Sequence, residues 1–214
     1  MKMRITEDLI RRRSEHNEGL ITDLEEISLH QFEIQKIETI NKICKRLKIL
    51  LLQNNIIEKI GNLRQLKDLQ YLNLALNNIS KIENLEKCEK LEKLDLTVNF
   101  IDAPDFDESI KNLRNNENLR DLYLTGNPCT ENLSAALDSF ATITCAFIRW
   151  EYYRSFVIDT LPALKQLDGK QILPSERITA KFDREKFTES LRKWQEHYNE
   201  KRKNPDGSLI SFVV

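Results

Sequence analysis

Four cysteines (Cys44, Cys88, Cys129, Cys145) and three histidines (His16, His30, His197) are the side chains here that could bind a metal or act as nucleophile and base. A zinc site needs thiolates or imidazoles in close pairs, such as C-x-x-C or H-x-x-x-H. None of these residues falls in such a pair. No serine or cysteine stands with a histidine in a pattern that suggests an activated nucleophile. Asp95 and Asp121 are lone carboxylates on strand-like segments, a pattern of solvated or partner-facing groups. The few glycines form no phosphate-cradling loop. The chain is therefore expected to be no enzyme, with no metal and no cofactor. The cysteines are expected to be buried, reduced thiols, because three of them fall at apolar positions of the repeat described next.

The frame L-x-x-L-x-L-x-x-N-x-I recurs along the chain. Its copies are Leu24-Ile27-Leu29-Ile34, Leu47-Leu50-Leu52-Asn55-Ile57, Leu69-Leu72-Leu74-Asn77-Ile79, Leu91-Leu94-Leu96-Asn99-Ile101 and Leu119-Leu122-Leu124-Asn127-Cys129. Successive copies start 23, 22, 22 and 28 residues apart. This is the signature of a leucine-rich repeat solenoid, an α/β architecture. In each copy the fourth and sixth residues alternate onto one face of a short strand and point inward. Triplets such as Ile57-Ile60-Leu63 and Ile79-Ile82-Leu85 feed the core from the outer return, at a spacing suited to a 3₁₀ turn. The asparagine amide is expected to bond backbone groups of adjacent coils, and stacking supplies a core that no single coil has. The prediction is a parallel sheet on the concave face with a short 3₁₀ or irregular convex side. The first copy has Phe32 where the asparagine belongs, a loss that an end coil with one neighbour can tolerate.

The ends need shielding. Thr6, followed by Glu7 and Asp8, predicts the start of a capping helix over Ile5–Glu18, within an N-terminal unit of residues 1–20. Repeats follow over 21–130. Residues 131–173 hold an expected inserted amphipathic helix (131–149) and a C-terminal cap in which Phe156 and Val157 point inward before a half-coil of Leu164 and Leu167. Over 174–214 a helix at Ser175–Lys203 carries an apolar stripe of Phe187, Leu191, Trp194 and Tyr198, free to pack on the solenoid or to engage a partner helix. An Asn-Pro-Asp-Gly turn and the apolar run Leu209–Val214 come last, a run that pairs with something or marks a truncated chain.

The strand positions between the buried ones face the concave side. Solubility favours polar residues there, yet Ile49, Leu51, Tyr71, Leu76, Val98 and Tyr123 make the centre apolar and aromatic. Lys93, Asp95 and Asp121 are expected to rim it. An apolar centre with a polar rim is the composition of a protein interface. The 33 basic and 34 acidic residues nearly cancel, which gives no pull toward nucleic acid or anionic membrane. No apolar run is long enough to span a bilayer, and Met1–Asp8 has no signal-like apolar core.

The blocks Ile5–Arg13 with Glu15–Gly19, Leu51–Asn55, Tyr71–Ile79, Leu94–Ile101 and Pro174–Ile178 go beyond the generic repeat. In them the sequence resembles the tilB-like leucine-rich repeat family of dynein axonemal assembly factors. The resemblance runs from about residue 3 to residue 178 and implies a non-enzymatic, monomeric cytoplasmic factor in preassembly of dynein arms for cilia or flagella. It implies as partners dynein subunits and chaperone or co-chaperone complexes, including RuvB-like ATPases, and a MYND-type zinc-finger protein. Such proteins continue into a charged helical region and a CS-like β-domain, which Val214 precedes, and the 131–149 segment is longer than their norm. The short repeat is also shared with phosphatase-binding regulatory subunits, and the capped solenoid with a splicing protein, so a regulatory subunit, a structural axonemal component and a ribonucleoprotein scaffold stand as alternatives.

Overall fold

A computed structural model describes residues 3–14, 20–130 and 150–203. Helix α1 (Glu7–Arg13) opens the fold, followed by β1 (Glu26–Ser28), a single turn α2 (Ile40–Ile43), β2 (Ile49–Leu51), β3 (Tyr71–Asn73) and β4 (Lys93–Asp95). Helix α3 (Ala103–Asn112), β5 (Asp121–Tyr123), α4 (Tyr153–Thr160), β6 (Gln166–Leu167), β7 (Lys170–Gln171), α5 (Pro174–Phe182) and α6 (Arg184–Lys203) complete it. The strands form one sheet in chain order, parallel from β1 to β6 and closed by an antiparallel β7. The central strand residues Ile27, Leu50, Leu72, Leu94, Leu122 and Leu167 lie in one register row, and all are buried. Burying each such side chain is worth roughly 1.5–3 kcal/mol, and only stacking makes that burial possible.

The asparagines do what their spacing implies. Asn77 Oδ1 accepts the Ile57 N–H at 3.0 Å, and its Nδ2 donates to the Leu52 and Leu74 carbonyls at 3.0 Å each. Asn55, Asn99 and Asn127 repeat the pattern. At the first coil, Asn55 Oδ1 accepts from both Phe32 N–H and Ile34 N–H, so the coil without its own asparagine is served by its neighbour. Phe32 instead lies under the Arg13 guanidinium, 5.6 Å from its ring centre.

A second amide ladder runs along the outer return. Asn62, Asn84 and Asn112 donate through Nδ2 to the Ile37, Ile60 and Ile82 carbonyls. Asn62 and Asn84 adopt φ of 58° and 61°, left-handed geometry that asparagine tolerates better than most residues. The triplets expected on 3₁₀ turns are therefore not there. The chain passes Ile57–Ile60 and Ile79–Ile82 without a helical turn, bends at the asparagine, and forms i to i+3 bonds one step later, at Leu63–Leu66 and Leu85–Cys88. The 28-residue spacing has a simple cause: its extra residues form α3, which buries Phe106 and Ile110 and lets Ser109 Oγ accept the Ile82 N–H.

Both ends depart from the expected helices. Helix α1 is capped by Thr6, whose Oγ1 accepts the Leu9 N–H, and stops at Arg13, where Ser14 leaves helical geometry. Residues 15–18 of the expected longer helix lie outside the described residues, as do the inserted helix at 131–149 and the 204–214 turn and tail. The helix expected over Ser175–Lys203 is two helices broken at Asp183. The break turns Phe187 and Leu191 onto the core and leaves Phe182 exposed. Trp194 packs partly buried, stacked on Trp150 at 5.6 Å, while the Tyr198 side chain lies outside the described ones. The stripe thus covers the solenoid, closing an aromatic cluster with Phe106, Tyr153 and Phe156.

Asp168 ends the ladder. It has φ of 53°, accepts the Leu124 and Thr125 N–H groups through Oδ1, and accepts the Tyr153 hydroxyl at 2.8 Å through Oδ2. Arg154 then ties α4 to α5 by a paired contact with Glu176, and Arg177 donates to the Ile158 and Leu164 carbonyls.

Candidate protein-binding face

The register places two outward rows on the concave sheet. One is Glu26, Ile49, Tyr71, Lys93 and Asp121; the other is Ser28, Leu51, Asn73, Asp95 and Tyr123. Apart from exposed Glu26, all are half-buried, as expected of side chains that shield one another on a curved parallel sheet. Beyond the strands, Gln31, Asn54, Leu76, Val98 and Gly126 form a third row, every one with positive φ.

Lys93 is not a rim residue. Its Nζ lies 4.7 Å from the Tyr71 ring centre and 5.3 Å from that of Tyr123, so the ammonium sits between two π faces at the middle of the sheet. Lys93 forms no ion pair among the described residues, although Asp121 is its register partner. Asn73 Nδ2 donates to Tyr71 Oη at 3.0 Å and holds the hydroxyl end of that ring. Asp95 Oδ1 accepts the Thr97 N–H at 3.0 Å, and Asn73 Oδ1 does the same for Ala75, so both residues brace the turn after their own strand.

Leu76 and Val98 are the apolar members of the third row, 50% and 45% exposed. Their φ values of 55° and 52° carry a steric cost of roughly 1–2 kcal/mol per residue. Neither gains burial in return. Val98 fills the space over Gly126, where a Cβ would stand 2.8 Å from Val98 Cγ2. Phe100, two residues on and 58% exposed, extends this apolar edge. It escaped notice in the sequence because it lies outside the strand frame. The geometry therefore joins Ile49, Leu51, Tyr71 and Tyr123 with Lys93 in one concave field, and sets Leu76, Val98 and Phe100 along its margin.

The groups with chemical potential are mostly inert. Cys44 and Cys88 are buried thiols whose pKa is pushed up to about 11 by loss of hydration, and burial raises that of Cys129 as well. Cys145 lies outside the described residues, as does His16. No group of three metal-ligating side chains forms among the described residues. One pairing went unforeseen in the sequence: Ser28 Oγ and His30 Nδ1 lie 2.6 Å apart on the first coil. Ser28 ends β1 and His30 lies two residues beyond it, close enough in the chain for the contact to be local. No helix among the described residues is long and apolar enough to cross a membrane.

No family model matches the chain. Curated relatives do. Dynein axonemal assembly factor 11 of Mus musculus is 50% identical over 91% of this chain, and that of Danio rerio is 54% identical over 83%. Protein tilB of Drosophila melanogaster is 51% identical over 82%. The chain spans 37%, 36% and 39% of the lengths of these three relatives. Among solved structures, a chain of the Drosophila melanogaster SNF/U2A′ complex superposes with a TM-score of 0.66 at 23% identity, over 89% of this chain and 99% of its own. An internalin from Listeria monocytogenes gives 0.53 at 19%, over 80% and 39%. Those two likenesses establish the capped leucine-rich repeat fold, and the identities of about one residue in two establish the kinship: over the span it shares with them, this chain belongs to the tilB-like leucine-rich repeat family of dynein axonemal assembly factors.

Proposed function

We propose that this chain is a non-catalytic scaffold that holds protein partners on its concave face during preassembly of axonemal dynein arms. The observation that carries the binding mode is the concave field itself. Two tyrosines, two aliphatic residues and a lysine with no ion pair among the described residues occupy positions that solubility alone would fill with small polar groups. The kinship to proteins named dynein axonemal assembly factor supports the pathway. On this reading Ile49, Leu51, Tyr71 and Tyr123 are the apolar anchors, with Leu76 and Val98 at the margin. Lys93 is the central charge, and Asp95 and Asp121 supply the carboxylates beside it. The partners are dynein subunits and the chaperone machinery that folds them, including RuvB-like ATPases and a MYND-type zinc-finger factor, met in the cytoplasm or at the base of the cilium.

The test is affinity purification from cells growing cilia, comparing the chain with its Tyr71→Ala/Tyr123→Ala variant. The unchanged chain should recover dynein heavy chains from the soluble cytoplasmic pool. The variant should lose them while its thermal unfolding stays close to that of the parent. Equal recovery by both would remove the concave face from the account. Retention of the chain in salt-washed axonemes, with no soluble dynein attached, would replace the assembly reading with a structural one.

A further inference from the structure

A near-zero net charge conceals a segregated surface. The two outward strand rows carry three carboxylates, Glu26, Asp95 and Asp121, against the one ammonium of Lys93. On the outer return of the first three coils both signs occur, but cations gather in one place. There a groove of about 720 Å³ crosses from Asn41 to Lys87. Its lining is amide side chains, Gly61 and three cations, Arg64, Lys67 and Lys87, with no carboxylate. Asn62 and Asn84 stiffen its floor, because their Nδ2 atoms are spent on the Ile37 and Ile60 carbonyls at 2.6 and 2.8 Å. Lys67 reaches outward to Glu89 at 2.8 Å. Arg64 and Lys87 form no ion pair within 4 Å among the described residues. The field is felt by its neighbour: the Glu89 carboxyl is held below its usual range by the Lys67 hydrogen bond, with Lys87 adding to it.

We infer that this groove on the outer return docks an acidic segment of a protein partner, with its carboxylates on Arg64 and Lys87. The groove crosses the coils, so cations from successive coils meet alternate residues of a strand-like peptide. Adjacent strands are about 4.8 Å apart, and a solenoid spreads on its convex side, toward the roughly 6.8 Å between alternate residues of an extended chain. A nucleic acid is the poorer occupant. Tight nucleic-acid binding draws on many phosphate contacts, and the groove offers three cations, one of them already paired with Glu89. This site is independent of the concave face, and each can fail alone.

The test uses the full chain, a fluorescein-labelled octaglutamate peptide and an octaglutamine control, followed by fluorescence anisotropy. Saturable binding of the glutamate peptide is expected at about 50 mM salt, weakening as the Debye length shrinks at about 300 mM. Arg64→Glu with Lys87→Glu should weaken it about tenfold or more, roughly 1.4 kcal/mol, with an unchanged circular dichroism spectrum and melting temperature. Tyr71→Ala/Tyr123→Ala should leave it intact. Arg64→Gln with Lys87→Gln provides the milder check if the charge reversal harms folding. Absence of saturable binding, equal binding by the charge variants, or tighter binding of a single-stranded oligonucleotide than of the peptide would overturn the inference.

Discussion

Replacing Asn77 with alanine is expected to destabilise the protein by about 2–4 kcal/mol. Asn77 is 3% exposed; its three shortest bonds, at 3.0 Å each, serve backbone groups in two coils, and a longer one reaches the Ala75 carbonyl at 3.2 Å. The carbonyls of Leu52 and Leu74 each keep a second donor after its loss, from Asn55 Nδ2 and Asn99 Nδ2, both at 2.9 Å. Only the Ile57 N–H is orphaned. An unsatisfied buried donor costs about 1–3 kcal/mol, and the two other bonds are worth about 0.5–1.5 kcal/mol net each, reduced here because their acceptors remain paired. Equilibrium unfolding in urea, followed by circular dichroism, reads the loss as a lower midpoint at unchanged slope. Asn78→Ala, at the exposed neighbouring position, is the control and should change little. A loss below about 1 kcal/mol for Asn77→Ala, or one equal to that of Asn78→Ala, would refute the ladder as a source of stability.

Val98→Asn should do the reverse and raise stability by about 1 kcal/mol, since asparagine accepts left-handed geometry better than valine. A decrease in urea midpoint would show that Val98 contributes packing beyond its contact with Gly126. Glu176 has its carboxyl pKa held down, first by the Arg154 hydrogen bond, so it contributes stability that is complete above the ordinary glutamate range and lost as pH falls through the depressed value. Glu176→Gln should therefore lower stability near neutrality and flatten its decline between about pH 5 and pH 3; a parallel decline in both proteins contradicts this. Cys44 and Cys88, with their pKa near 11, should resist a thiol reagent at pH 8 until the chain unfolds. Rapid labelling of either in the native protein would mean that the coils open readily.

Much of this fold was legible because repetition amplifies a weak code. One frame of leucines is ambiguous, but four asparagines in phase with the leucines fix strand, turn and stacking direction together. The second ladder was equally legible, since Asn62, Asn84 and Asn112 keep the same 22- and 28-residue spacing, but the apolar triplets beside it have the i, i+3 spacing of a 3₁₀ turn. The break at Asp183 was hidden because the apolar stripe begins only at Phe187, and Pro174–Phe182 has helical propensity of its own. Sequence order placed Lys93 at a rim because charge suggests an edge. Register placed it between Tyr71 and Tyr123, and register is a property of three strands at once. The outer groove was invisible to a net charge of −1, since opposite patches cancel in a sum.

The central claim, that partners sit on the concave face, is tested most directly by photocrosslinking in cells that are building cilia. A photoreactive side chain is placed singly at Leu51, at Leu76, and at Lys111 of α3 as a position off the sheet. Crosslinks to dynein subunits or their chaperones from Leu51 and Leu76, with none from Lys111, are the result expected. Crosslinks from Lys111 alone, or equally from all three positions, would contradict it.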